Sequence, residues 1–277
     1  MKKIIAAFDG LKYSESTETY ALNIAEQTGA LLVGVFLEDF TYHSYKLFDM
    51  VGSQGVSQEK VKQLMSEDKA KRRQAVQKFK TSSEERKIKF SIHTDKSVAL
   101  QELLKETIYC DLLVICVDET LTHYPEEPPT LFIRDLLADV QCPVLLVPTQ
   151  FKPMGKIVLL YDGEPSSVYA SKVFSYMFPW CMDFETEVVM VRTEKNPHLP
   201  DYDLIKEFIR CHFPKSSFIM LEGDPELEIT NYLKTSENAL VVLGAYRRSM
   251  VSRWFNPSMA DALMKNIELP FFIAHNR

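Results

Sequence analysis

A chain of 277 residues holds one large domain or two ordinary ones, and 46% apolar with 25% charged residues marks a globular protein rather than a disordered one. A net charge of −6 argues against non-specific nucleic-acid binding, which needs a concentrated basic face. No apolar run reaches the length of a membrane span, MKKIIAAFDG turns polar too early for a signal peptide, and the five cysteines form no CxxC pair; a cytoplasmic protein with reduced thiols and no membrane partner is expected.

Taken in order, KIIAAF (3–8) is a short apolar run closed by Asp9-Gly10, the pattern of a strand buried on both faces. A helix is predicted from Ser14 to Thr28, with Tyr20, Ala21, Ile24 and Ala25 on one face and Gly29 as its stop. Residues 30–37 read as the next strand. The stretch 40–55 is irregular and aromatic (Tyr42, His43, Tyr45, Phe48), fitting a flap over the sheet edge, a lid or a partner patch. A long charged helix over 58–86 follows, with Val61, Leu64, Met65, Val76 and Phe79 as a narrow apolar stripe that serves a surface helix or a partner-binding one. Strand 87–93, helix 98–107, buried strand 111–117, a Pro-rich loop over 125–130, helix 131–140 and the strand CPVLLVP complete the first half.

The pattern then restarts. GKIVLLYDGEPSS echoes KKIIAAFDGLKYSES at a constant offset of 153, which matches Asp9-Gly10 to Asp162-Gly163 and Ser14 to Ser167. LLVICV likewise matches LVVLGA, and CPVLLVP matches LPFFIAH, so both ends of the half repeat. The second copy predicts strands at 156–161, 185–192, 216–221, 239–244 and 270–275, with helices at 165–178, 201–212, 225–235 and 257–266. Strand and helix alternate throughout, which demands parallel strands joined by crossovers. Two domains follow, 1–150 and 151–277, each a five-stranded parallel sheet with helices on both faces. Each fifth strand leaves an apolar edge, and pairing Val144–Val147 with Phe271–Ala274 would cover both.

These residues resemble a tandem universal stress protein: a first strand ending in Asp in each half, Gly223-Asp224-Pro225 before an amphipathic helix, and a strand ending in Gly244. The resemblance implies two Rossmann-like domains of the adenine nucleotide alpha hydrolase-like type, paired as a pseudo-dimer through their fifth strands. It also implies a stress-linked role without an established reaction. Nucleotide-binding members carry G-x-x-G, nine residues, then G-[S/T]. From Gly244 that spacing falls on Gly244, Arg247, Pro257 and Ser258, and in the first half on Val117, Thr120, Thr130 and Leu131, where nothing of the motif remains. The resemblance gives Asp162, Gly244, Arg247 and Ser258 as the nucleotide-binding residues, with ATP the candidate cofactor.

The residues themselves pull both ways. A glycine-rich loop holds phosphate because its N–H groups can approach the oxygens without a Cβ in the way. Arg247 places a guanidinium there that either binds phosphate or fills its space, and Pro257 removes an N–H while making a good first residue for a helix capped by Asn256. Asp9 and Asp162 read either as nucleotide contacts or as acceptors for the following turn. The Arg247, Arg248 and Arg253 cluster reads as an anion site or a solvated face. The six histidines show no metal-ligand spacing, Cys116 falls in a buried strand, and GxSxG, Walker A and GxGxxG sequences are missing. The leading expectation is a non-catalytic stress-response protein that binds a small anion or a protein partner, with further homodimerisation open. The alternative is an ATP-binding protein using the second domain, with slow hydrolysis. An unrelated α/β enzyme built on Asp9 or Asp162 ranks last, since neither has a visible base, metal set or nucleophile beside it.

Overall fold

The computed structural model describes residues 1–39, 51–52, 55–56, 58–122, 124–193, 201–244 and 257–275. The rest of the aromatic stretch, and Arg247, Arg248, Arg253 and Asn256, lie outside the described residues. Two compact units emerge, Met1–Gln141 and Cys142–Arg277.

In the first unit, β1 (Lys3–Asp9), β2 (Leu31–Asp39), β3 (Phe90–Ser97) and β4 (Leu112–Cys116) form a parallel sheet in the order β4-β1-β2-β3. Every residue from Ile4 to Asp9 is buried, as is all of β4, so both faces of the sheet are covered. Helix α1 (Glu15–Thr28) starts where Ser14 accepts the Thr17 N–H on its hydroxyl at 3.1 Å and ends where Gly29 turns left-handed at φ 63°. The Gly29 stop falls where the sequence places it, and the helix begins one residue later than predicted because Ser14 serves as its cap.

Helix α2 (Gln58–Glu85) is seated on the sheet by Phe79, which is fully buried with its ring centroid 5.6 Å from Phe8, 5.9 Å from Phe36 and 6.1 Å from Phe90. Gly34, in the middle of β2, makes the room: a Cβ there would lie 2.7 Å from the Phe79 ring. Of the predicted apolar stripe, Phe79 enters the core while Met65 stays half exposed. Strand β3 begins at Phe90, three residues later than predicted, because Lys87 takes the left-handed conformation at φ 55° and its N–H closes on the Glu84 carbonyl. A lysine in that role gives no sequence signal. Helices α3 (Ala99–Thr107) and α4 (Leu131–Asp139) complete the unit, α4 capped by Thr130.

The second unit repeats the plan with β6 (Lys156–Leu160), α5 (Pro165–Met177), β7 (Glu185–Arg192), α6 (Tyr202–His212), β8 (Ser216–Glu222), α7 (Pro225–Lys234), β9 (Ala239–Leu243), α8 (Pro257–Asn266) and β10 (Phe271–Ile273). Its strands run β8-β7-β6-β9-β10 in parallel. The sixth member is β5 (Val144–Val147), the last strand of the first repeat, which lies antiparallel to β10 with Leu146 opposite Phe271 and Val144 opposite Ile273. The fifth strands thus pair as the edge argument requires, and that pairing counts β5 with the second unit. None of the five cysteines is in a disulfide: Cys116, Cys142 and Cys181 are buried, Cys110 is half-buried and Cys211 is exposed. Among the described residues no helix is long and apolar enough to cross a membrane.

Candidate ligand site at the strand ends

In the second unit, Asp162 follows β6 and is buried; its Oδ1 accepts the Glu164 N–H at 3.0 Å across the turn made by Gly163, φ 83°. Gly244 follows β9 and presses on the same turn. A Cβ at Gly244 would lie 2.3 Å from both the carbonyl carbon and oxygen of Ser166 and 2.7 Å from the Ser167 nitrogen. Ser167 reinforces the turn by donating its hydroxyl to the Glu164 carbonyl at 2.8 Å. Asp162 and Gly244 therefore meet around the start of α5, where backbone packing leaves room for glycine only. Ser258 is the second residue of α8, its side chain outside the described part, and Arg247 lies outside the described residues.

Asp9 occupies the matching place in the first unit and does the same local work, Oδ1 accepting the Leu11 N–H at 2.7 Å. The loop after β4 differs. Glu119, which nothing in the sequence singled out, is buried with its Oε2 accepting the Asp9 N–H at 3.3 Å. Its carbonyl receives the Thr130 hydroxyl, so the residue that caps α4 also ties down the loop. Lys12 reaches over to donate to the Thr122 carbonyl at 2.8 Å and to the Thr120 hydroxyl at 3.2 Å. The Cys116 thiol donates to Asp118 at 2.8 Å.

Electrostatics sort these groups. Burial, and then the charges of Asp9 and Asp118, push the Glu119 carboxyl up to about 8, so near neutrality it holds its proton. Burial followed by Asp118 also raises the Cys116 thiol, which removes it as a nucleophile. A carboxyl whose folded pKa is raised stabilises fully below its unfolded value, near 4.3, and that contribution is lost as pH rises through about 8. Urea unfolding of the first unit is therefore expected to weaken between those limits, by an amount of order a few kcal/mol. Glu119→Gln, which keeps the shape without the charge, should flatten that slope; an unchanged slope would show that Glu119 is not its source.

No protein-family model matches the chain, and no curated protein sequence does. Solved structures do. A universal stress protein from Archaeoglobus fulgidus superposes with a TM-score of 0.68 at 12% identity, covering 99% of this chain and 98% of that one. A functionally unknown protein from Pseudomonas aeruginosa PAO1 gives 0.66 at 14% identity, with 99% and 92% covered. A universal stress protein candidate from another P. aeruginosa strain gives 0.64 at 14%, with 99% and 93% covered. The chain is a tandem of Rossmann-like α/β repeats. Its fold is that of the tandem universal stress proteins.

Proposed function

We propose that this chain is a tandem universal stress protein of the cytoplasm that acts by binding a small anionic ligand rather than by catalysis. The observation that carries the reading is how the reactive-looking groups at the strand ends are engaged. Asp9 and Asp162 hold the turns after β1 and β6, Cys116 is a buried high-pKa thiol, and Glu119 keeps its proton. Groups committed in this way stiffen a cleft: each is already held by a neighbouring backbone or side-chain group. A second reading, ATP bound in the second unit by Asp162, Gly244, Arg247 and Ser258 with slow hydrolysis, is favoured by the meeting of Asp162 and Gly244 at the start of α5.

Thermal denaturation and calorimetry of the whole chain separate the two. The binding reading expects a phosphate-bearing anion to stabilise the fold by roughly 2.7 kcal/mol at 100 times its dissociation constant, with no product released. Steady ATP hydrolysis abolished by Asp162→Ala would overturn the non-catalytic reading. Binding of Mg-ATP that weakens in Arg247→Glu and Ser258→Ala would favour the second-unit site.

A further inference from the structure

The strand-end rim of the first unit is divided by charge. Over β4 and β1 it carries the carboxylates of Asp9 and Asp118, which repel an anion, beside the protonated Glu119. Over the ends of β1, β2 and β3 lies a cavity of about 540 Å³ whose described lining has the opposite character: Lys69, Arg72 and Arg73 with Glu38, and Gly10 and Phe36 as an uncharged floor. That volume suits one small organic molecule. The three cations stand at i, i+3 and i+4 on α2, and so on one face of the helix. Arg72 is held in place. Its stem lies over Gly10, where a Cβ would come within 3.1 Å of Cγ, and its Nη1 reaches the Leu37 carbonyl at 3.4 Å. The Phe36 ring stacks on Phe8 at 5.2 Å and gives a rigid wall beneath the cations.

We infer that this cavity binds a phosphorylated small molecule, with Lys69, Arg72 and Arg73 around the phosphate and the organic body over Gly10 and Phe36. The inference rests on the small-anion reading above and places the ligand in the first unit, away from the Gly244 loop. Guanidinium groups suit phosphate because they offer paired donors in a fixed plane.

Calorimetric titration of the whole chain with AMP, adenosine and pyrophosphate tests it. AMP is expected to bind, pyrophosphate to displace it, and adenosine to bind at least tenfold more weakly. Lys69 and Arg73 are exposed, so the double variant Lys69→Glu/Arg73→Glu should fold, as its melting curve will verify, and should weaken AMP at least tenfold. Lys62→Glu/Lys71→Glu reverses two exposed charges on the same helix outside the cavity and should leave binding within twofold. Equal weakening by both pairs, or adenosine binding as tightly as AMP, would overturn the assignment. AMP binding that survives Lys69→Glu/Arg73→Glu and disappears in Arg247→Glu would overturn it while preserving the small-anion reading. Failure of both phosphate probes to bind would sink the two together.

Discussion

Gly244→Ala is expected to destabilise the second unit by about 3 kcal/mol or more, the upper end of overpacking costs. The new methyl would stand 2.3 Å from the Ser166 carbonyl group, and its neighbours there are backbone atoms in the first turn of a helix, not a side chain that can swing aside. Relief requires α5 to withdraw from β9, which would strain the buried core that Phe174 shares with Phe272 across a 5.3 Å ring contact. Both tryptophans, Trp180 and Trp254, lie in the second unit, so tryptophan fluorescence during urea unfolding reads this unit selectively. An unshifted midpoint would show that α5 can move freely. The matching residue of the first unit is Val117, half-buried, so in that unit this position accepts a side chain.

Phe79→Ala should cost the first unit about 3–5 kcal/mol, the range for emptying a buried aromatic site. The ring meets three other phenylalanines and is the main seat of α2, so its loss should also loosen the face that carries Lys69 and Arg73. Gly34→Ala should be harmful alone because its methyl would lie 2.7 Å from the ring, yet much less harmful beside Phe79→Leu, which vacates that space. A double-mutant cycle followed by far-ultraviolet circular dichroism should return a coupling of about 0.5–3 kcal/mol. Strict additivity would mean that the two residues do not share the space.

Particular residues show where sequence reading reaches and where it stops. Gly29 announces the end of its helix because the left-handed stop is a local signal, and the repeat is visible because buried strands at both ends of each half keep their apolar runs. Glu119 was invisible: its meaning depends on Asp9, 110 positions away, and no local pattern records that approach. Gly34 and Gly244 carry the same limitation in another form. A glycine letter says that space or conformation matters, and only the fold reveals that the space is taken by a phenylalanine ring in one case and a helix turn in the other. The cations of the cavity sit within the long charged helix, and helical spacing alone does not tell which of its side chains overhang the ends of a sheet.

The antiparallel match of β5 with β10 also sets an order of events during synthesis. Leu146 leaves the ribosome 125 residues before its partner Phe271, so an apolar strand must wait through the making of almost the whole second repeat. At roughly 5–20 residues per second that wait lasts about 6–25 seconds. During it, the edge of Val144–Val147 that later meets β10 is an apolar template open to another nascent chain, and chaperone occupancy should peak in this interval.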